Sequence, residues 1–286
     1  MTTLERQAPA KVNLTLHVTG QRADGYHLLD SLVVFADVSD RLTATPAEDL
    51  SLTVSGPFAD GVPDDHRNLV LRAAVMLQRR FGIAKGARLH LEKTLPHAAG
   101  IGSGSSDAAQ TLALLSELWG CPRIEPAAPE VTGLGADVPV CMAAPKPMRM
   151  SGIGEVLSPV PPLPDCAVVL VRPPVAVPTG VIFQGLATKQ GKPMSAMPSG
   201  MTLSDFANWL QAQRNDLLPP ALAHAPQIGQ AIDRLRAAPD VAFAGMSGSG
   251  ATCFGLTARL NTAQDLAAEL SHDHPEWWVT AGRLLA

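Results

Sequence analysis

The chain has 286 residues, a length that favours two domains over one. Because 46% of the residues are hydrophobic and 17% are charged, a sizeable core can form. The 22 basic and 26 acidic residues give a formal net charge of −4, which gives no sign of the basic surface that binds nucleic acid or an anionic membrane. Binding of an anionic small molecule would therefore require a local site that favours negative charge.

Cysteine spacing and hydrophobic runs exclude several further classes. No CxxC pair occurs, which argues against a zinc site or a disulfide framework and favours small buried thiols in a reducing compartment. The first residues contain no apolar signal core and no long Arg/Ser-rich transit segment, and no run approaches the ~20 apolar residues of a membrane helix. A cytoplasmic protein is expected.

The first half of the sequence mixes strand and helix patterns. Alternating and branched apolar residues predict strands in residues 8–54, with a turn at Asp24-Gly25. Residues 68–81 have helical spacing, and 87–95 return to period two. A second helix should follow the glycine-rich loop, with Ser105 or Ser106 as its N-cap.

The second half begins after a proline-rich stretch, "PVPPLPD", which predicts a boundary between domains 1–161 and 162–286. A branched strand at 166–173, a flexible surface insertion at 191–201, a helix at 228–238 and a strand-turn-strand at 241–258 are expected. Strands and helices do not alternate regularly, so an α+β fold is favoured over a doubly wound sheet.

The glycine-rich loop, "PHAAGIGSGSSDAA" at residues 96–109, has glycine at 100, 102 and 104. Such spacing indicates positive φ or close approach to a ligand, and a loop at a helix N-terminus binds anions, phosphate above all. Ser105 and Ser106 could donate to phosphate oxygens or complete the shell of a Mg²⁺ ion. The spacing is neither GxGxxG nor a P-loop. A tight strand-to-helix turn that permits close packing is the alternative.

Three further segments favour the phosphate-binding loop over the packing turn. They are residues 8–32, "GADVPV" at 135–140 and "GMSGSGATCFG" at 245–255. Together with the glycine-rich loop, and in this order, they resemble the GHMP kinases. The resemblance implies a two-domain α+β fold, with an N-terminal ribosomal-S5-domain-2-like domain and a C-terminal ferredoxin-like α/β sandwich. The active site would lie in the cleft between them.

The resemblance also implies an ATP-dependent kinase that uses Mg²⁺. Lys11 and Asp137 match the family's catalytic pair, Asp137 as the base and Lys11 as the cation that steadies it and the developing charge. Ser105 and Ser106 are the candidates for contact with Mg²⁺. The ATP-binding positions would be Asn68, Pro96, Gly100, Gly102, Ser103, Gly104, Ser105 and Ser106. Taken alone, Lys11 would be a surface lysine and Asp137 a capping aspartate.

Residues 9–27 resemble the family members that act on a cytidyl alcohol of the non-mevalonate isoprenoid pathway. The implied substrate is a small molecule with a cytidine diphosphate group, bound by Asn13, Tyr26, His27 and Phe183. Tyr26 and Phe183 would sandwich the cytosine, and His27 would select it by hydrogen bonds. Phe183 as a core residue and His27 as a turn residue remain alternatives.

Other readings of the chain stay open at this point. It could act on homoserine or mevalonate, as other GHMP kinases do, or bind nucleotide without catalysis. The segment before Asp137 is shorter and richer in proline than is usual in the family, and prolines also precede "GIGE" at 152–155. The loops that lead to Asp137 are therefore expected to differ in shape from those of the family. A metal site is one interpretation of His272, Asp273 and His274, but an exposed connection before the last strand is expected. A monomer or weak homodimer is expected, with no nucleic acid or membrane partner.

Overall fold

The computed structural model describes residues 3–285. Backbone contacts divide them into two compact units that interleave along the chain. Unit 1 contains the described residues up to Ala10, then Ser39–His97 and Gly102–Ala144, whereas unit 2 contains Lys11–Val38, Ala98–Ile101 and the residues from Pro145 onward. The predicted boundary at 161/162 lies within unit 2 and remains a prediction, because contact units need not coincide with family domains.

Residues 3–285 form eleven strands. Strand β3 is the longest, and its first part belongs to unit 2 and its last part to unit 1. The strands are β1 Leu4–Asn13, β2 His17–Gln21, β3 His27–Ala47, β4 Leu50–Ser55, β5 Gly86–Glu92, β6 Met148–Gly152, β7 Val156–Pro159, β8 Ala167–Arg172, β9 Val241–Met246, β10 Cys253–Thr257 and β11 Trp278–Leu285.

Nine helices occur in the same described part of the chain. They are α1 Leu69–Phe81, α2 Ser103–Trp119, α3 Pro129–Leu134, α4 Val138–Cys141, α5 Thr179–Gln184, α6 Leu203–Gln211, α7 Leu218–His224, α8 Gln227–Ala237 and α9 Leu260–Asp273. None of these helices is both long and apolar enough to cross a membrane.

Unit 1 is built around a small sheet. Strand β4 pairs in parallel with β5, which pairs antiparallel with the end of β3. Helix α1 connects the two parallel strands, as such a crossover requires, and packs against α2. The apolar residues of β5 alternate as the sequence predicts, with Leu89 and Leu91 buried. Helix α2 buries an apolar stripe that includes Ala108, Leu112 and Leu115.

Unit 2 contains an antiparallel sheet whose strands run in the order β11, β8, β10, β9. In chain order this is strand 4-1-3-2 of a β-α-β-β-α-β arrangement, which confirms the predicted ferredoxin-like sandwich. Helices α8 and α9 supply Ile228, Ile232 and Leu270 to a core shared with Val169 and Trp277. Strands β2, β6 and β11 pair with β3.

Two predictions about local structure are wrong. Helix α2 begins at Ser103, with Gly102 at its N-cap in the left-handed region (φ 59°), so Ser105 and Ser106 lie in its first turn rather than at its cap. The segment at 191–201 contains no helix or strand before α6, yet it is not a free surface insertion, because Met194 is buried. Polar groups far away in sequence hold it, and local composition cannot show that.

The four cysteines are free thiols. Cys141, Cys166 and Cys253 are buried, whereas Cys121 is half-buried. Burial raises the pKa of the Cys166 thiol to about 12. Such thiols are uncharged near neutral pH and pack as small apolar residues.

Candidate active site

Lys11 and Asn13 lie on the same face of β1, because alternate residues of a strand point to the same side. Lys11 is only 3% exposed, so the surface-lysine alternative is wrong. Its Nζ donates to Asn13 Oδ1 at 2.7 Å, and Asn13 Nδ2 donates to Ser31 Oγ at 2.8 Å. The ammonium group is thus held in a defined position inside unit 2.

The middle of the glycine-rich loop packs against the second glycine-serine turn. Within unit 2, Ser247 Oγ donates to Gly100 O at 2.9 Å and accepts from the backbone N–H of Asn13 at 3.0 Å. The backbone N–H of Lys11 donates to Ile101 O at 3.0 Å. Residues 98–101, the catalytic candidate Lys11 and Ser247 therefore form one hydrogen-bonded group.

Gly100 accounts for the close approach that the glycine spacing predicts. Its φ is +77°, and a Cβ built on it would lie 2.6 Å from the carbonyl oxygens of both Ser247 and Gly250. Any side chain would therefore separate the two backbone segments. Only glycine combines this φ with this distance.

We expect Gly100→Ala to lower the free energy of unfolding by about 2–3 kcal/mol, since it adds a backbone clash to the strain of a left-handed alanine. Gly120→Ala is a matched control, because Gly120 has a similar φ of +68° and nothing within 4 Å of its built Cβ. The control should lose only about 1 kcal/mol. Urea unfolding of both variants measures the difference. Equal losses would show that the contact with 247–250 contributes nothing.

The first turn of α2 has the geometry of an anion site in unit 1. The first intrahelical hydrogen bond runs from Ser106 N to Gly102 O at 2.8 Å, so the N–H groups of residues 102–105 have no partner inside the helix. No acidic residue lies in this turn. Ser103 Oγ donates to Pro96 O at 3.2 Å, which ties the loop to its own start. The positive end of the helix dipole is therefore available to phosphate.

Ser106 has a buried hydroxyl group that tests whether the site fits Mg²⁺ and a nucleotide. Its side chain is fully buried, and its Oγ has no hydrogen-bond partner among the described residues. A buried hydroxyl without a partner is costly, and a phosphate oxygen or a metal-bound water would satisfy it. This is the observation that fits Mg²⁺ with a nucleotide.

Asp137 precedes α4 in unit 1, and its side chain makes no capping hydrogen bond. The capping-aspartate alternative is therefore wrong. A Cβ built on Gly135 would lie 3.8 Å from Ser105 Oγ, so this segment runs beside the first turn of α2. The structure thus brings the Asp137 segment and the phosphate-loop serines together within unit 1. Lys11 belongs to unit 2.

Asn68 is the N-cap of α1. Its Oδ1 accepts from Val70 N at 2.9 Å, and its Nδ2 donates to Pro63 O at 2.6 Å. Both ends of the amide are thus engaged at the start of the helix, and the implied contact with ATP stays a prediction. A Cβ built on Gly104 would lie 3.7 Å from Leu69, which places this helix start beside the first turn of α2.

The residues predicted to bind the cytosine differ in exposure and in their contacts. Tyr26 is 58% exposed in the β2–β3 turn. The His27 ring stacks on Phe183 of α5 with centroids 4.8 Å apart. The buried Nε2 of His27 has no partner among the described residues. Burial, followed by the positive charge of Lys189, lowers the pKa of His27, so its ring is neutral near pH 7.

Sequence reasoning missed a buried ion cluster below the phosphate loop. Lys93 Nζ pairs with Asp40, and also with Asp107 Oδ2 at 2.8 Å. Asp40 Oδ1 accepts from the backbone N–H groups of Thr94 and Leu95 at 2.6 and 2.8 Å. The cluster thus fixes both the strand that enters the loop and the helix that leaves it. The available signal was Asp107, a charged residue directly after the loop serines.

Asn215, in a segment without an assigned role in the sequence, supports the second glycine-serine turn. Its Nδ2 donates to Met246 O at 2.8 Å and to Gly248 O at 2.9 Å. One amide group therefore joins both sides of the turn that contacts Gly100. A short "ND" dipeptide gives no sign of such a contact.

The segment around His272 has structural partners. It forms the end of α9, where Asp273 pairs with Arg234 at 2.5 Å and the His274 ring stacks on Trp277 at 3.8 Å. Within residues 3–285, no three His, Cys, Asp or Glu side chains are grouped so as to hold a metal ion. The predicted connection is correct only for the residues after Asp273.

Comparisons with known proteins show the family of this chain. The models of the GHMP kinase N-terminal and C-terminal domains match residues 68–144 and 196–276. A 4-diphosphocytidyl-2-C-methyl-D-erythritol kinase of Dinoroseobacter shibae is 55% identical over 95% of this chain and 92% of its own length. The chain belongs to this family of GHMP kinases.

Solved structures support the family assignment. A crystal structure of a 4-(cytidine 5'-diphospho)-2C-methyl-D-erythritol kinase shares 32% identity, covers 99% of this chain and 100% of its own, and gives a TM-score of 0.78. The homoserine kinase of Cytophaga hutchinsonii covers 99% of this chain and 94% of its own at 15% identity, with a TM-score of 0.67, and therefore shows the fold alone. The predicted two-domain α+β GHMP kinase fold is confirmed.

Proposed function

We propose that the protein transfers the γ-phosphoryl group of ATP to the 2-hydroxyl of 4-diphosphocytidyl-2-C-methyl-D-erythritol. The products are the 2-phosphate and ADP, and the reaction belongs to the non-mevalonate isoprenoid precursor pathway. Membership of the kinase family supports this proposal most strongly. The buried Lys11 and the anion-binding start of α2 support the chemistry.

Asp137 and Lys11 carry the transfer in this proposal. Asp137 accepts the proton of the attacking hydroxyl, which makes its oxygen a better nucleophile. Lys11 keeps that carboxylate ionised and offsets the charge that develops around the transferred group. The hydrogen bond from Lys11 Nζ to Asn13 fixes the ammonium group before the substrate arrives. Such preorganisation lowers the barrier without reorganisation during the reaction.

The nucleotide phosphates bind at the glycine-rich loop and the first turn of α2. Gly100, Gly102 and Gly104 let the backbone approach, and Ser103 holds the turn through Pro96 O. Ser105 and Ser106 contact the phosphates or the Mg²⁺ that accompanies them. When bound there, the metal would neutralise part of the phosphate charge. Pro96 and Asn68 line the approach of the nucleotide.

The acceptor binds through its cytosine. Tyr26 covers one face of the base, Phe183 contributes the other aromatic surface, and Asn13 binds the alcohol. The unpartnered Nε2 of the neutral His27 hydrogen-bonds the edge of the base, which stacking alone cannot distinguish. We place the protein in the cytoplasm as a monomer or weak homodimer, without nucleic acid or membrane partners.

The proposed function is tested with purified protein, ATP, Mg²⁺ and the cytidyl substrate. ADP release and a product heavier by one phosphoryl group are expected, whereas homoserine and mevalonate should give neither. Free CMP should compete with the acceptor and not with ATP. ATP binding without turnover on the cytidyl substrate would contradict the proposal, and inhibition competitive only with ATP would contradict the cytosine site.

A further inference from the structure

The segment 189–194, called the strap below, runs along β2 in unit 2. Lys189 Nζ donates to Gln21 Oε1 at 3.2 Å, and Gly191 N donates to Val18 O at 2.9 Å. A Cβ on Gly191 would lie 2.7 Å from Val18 O, so the strap is in close backbone contact with the strand. Its last residue, Met194, is 4% exposed.

An ion pair on neighbouring strands clamps the end of the strap. Asp30 Oδ1 accepts from Arg149 Nε at 2.7 Å, and Asp30 Oδ2 accepts from Arg149 Nη2 at 2.6 Å. The same Oδ2 accepts from Met194 N at 2.8 Å, and the same Nη2 donates to Met194 O at 3.0 Å. A bidentate guanidinium-carboxylate pair has a fixed geometry, so it fixes the Met194 backbone at both polar groups.

The clamp is continuous with the catalytic candidates. Thr15 Oγ1 donates to Met194 Sδ at 3.1 Å, and Ser31 Oγ donates to Thr15 O at 2.5 Å. Ser31 Oγ also accepts from Asn13 Nδ2 at 2.8 Å, and Asn13 Oδ1 accepts from Lys11 Nζ at 2.7 Å. Hydrogen bonds that meet at Thr15, one at its side chain and one at its carbonyl group, therefore join the strap to Asn13 and Lys11.

We propose that Asp30 and Arg149 are positioning residues for the acceptor alcohol, which they align by fixing the strap and, through it, Asn13. This inference rests on the proposed function of Asn13 as an acceptor-binding residue. It also gives a role to Arg149, which lies in the segment whose prolines depart from the family pattern. The nucleotide phosphates bind elsewhere, at the first turn of α2, so loss of the clamp should affect the acceptor and spare ATP.

The first test is steady-state kinetics of Arg149→Gln with each substrate varied. We expect the acceptor KM to rise about tenfold, with the ATP KM within about twofold of wild type. Arg149→Lys keeps the charge but loses the bidentate geometry, so its acceptor KM should lie between those of wild type and Arg149→Gln. Arg234→Gln is the control, because it breaks another Arg–Asp pair of unit 2, between α8 and Asp273, and should change neither KM.

The second test reads the strap without relying on turnover. Hydrogen exchange of the amides of residues 189–194, Pro193 excepted, is followed by mass spectrometry and should be about tenfold faster in Arg149→Gln and unchanged in Arg234→Gln. Asp30→Asn should speed exchange as much as Arg149→Gln does. The double variant should exchange little faster than either single variant, because both residues belong to one ion pair. Failure of the proposed function would appear as wild-type protein without turnover, yet the strap would still respond.

Two outcomes would overturn the inference. Unchanged exchange in both variants would mean that the pair does not hold the strap. Faster exchange with an unchanged acceptor KM, or with an equal rise of both KM values, would mean that the strap does not position the acceptor. Melting temperatures of all variants are measured alongside, so that a general loss of stability is separated from a local one.

Discussion

Asp137→Asn is expected to lower kcat by about 10²- to 10⁴-fold, because an amide cannot accept the proton of the attacking hydroxyl. Both KM values should stay within about threefold, since the amide fills the same space and the proposed nucleotide contacts are at the first turn of α2. Release of ADP, coupled to mass spectrometry of the product, measures the loss directly. Circular dichroism and the melting temperature of the variant are measured alongside, so that a loss of turnover is separated from a loss of folding.

Asp265→Asn is the matched control for this substitution. Asp265 is exposed on α9, so its change to asparagine should leave kcat unaltered. Lys11→Met should also lower kcat strongly, and the double variant with Asp137→Asn should be little slower than the slower single variant, as for groups that act together. Unchanged turnover in Asp137→Asn would show that another group accepts the proton. Fully additive losses would show that the two residues act separately.

Lys93→Met is expected to lower the free energy of unfolding by about 3–5 kcal/mol, because it leaves two buried carboxylates without their cation. Lys93 is 1% exposed and contacts Asp40 and Asp107. Burial alone would lower the pKa of Lys93, but the attraction of the two carboxylates outweighs it and raises the pKa, so the lysine is charged. Urea unfolding, with Lys85→Met as an exposed lysine control, measures the loss.

The loss should also depend on pH. Burial raises the pKa of Asp107 to about 7, against the attraction of Lys93. Since its unfolded value is about 4, the folded protein holds a proton there that the unfolded chain lacks, and this contribution to stability disappears as the pH rises through 7. Lys93→Met removes the attraction that opposes this rise, so the pKa of Asp107 is higher still in the variant, which keeps losing stability above pH 7 where the wild-type protein no longer does. The variant should therefore lose more stability at pH 8 than at pH 5.5. A pH-independent loss would mean that the two carboxylates do not share the charge of Lys93.

Local sequence patterns predicted most secondary structure in the part of the chain that the structure describes. Helix α1, capped by Asn68, and the strand-turn-strand at 241–258 have the expected form, because hydrophobic spacing and capping act over a few residues. The start of α2 was predicted too late. Two glycines with positive φ, at 100 and 102, let the chain enter the helix before Ser105 and Ser106. Residue type alone does not show which glycine adopts that conformation.

By itself, the sequence determined the α+β class, the family resemblance and the candidates for chemistry, since each depends on residue types at short, fixed spacings. Only the tertiary structure decided which polar groups meet. Arg149 binds Asp30 across 119 positions, and Lys93 binds Asp40 across 53. Such pairs are selected by strand register and by the cost of burying a charge without a partner. Neither ion pair leaves a periodic signal in the sequence, because one residue of a pair gives no indication of where its partner lies.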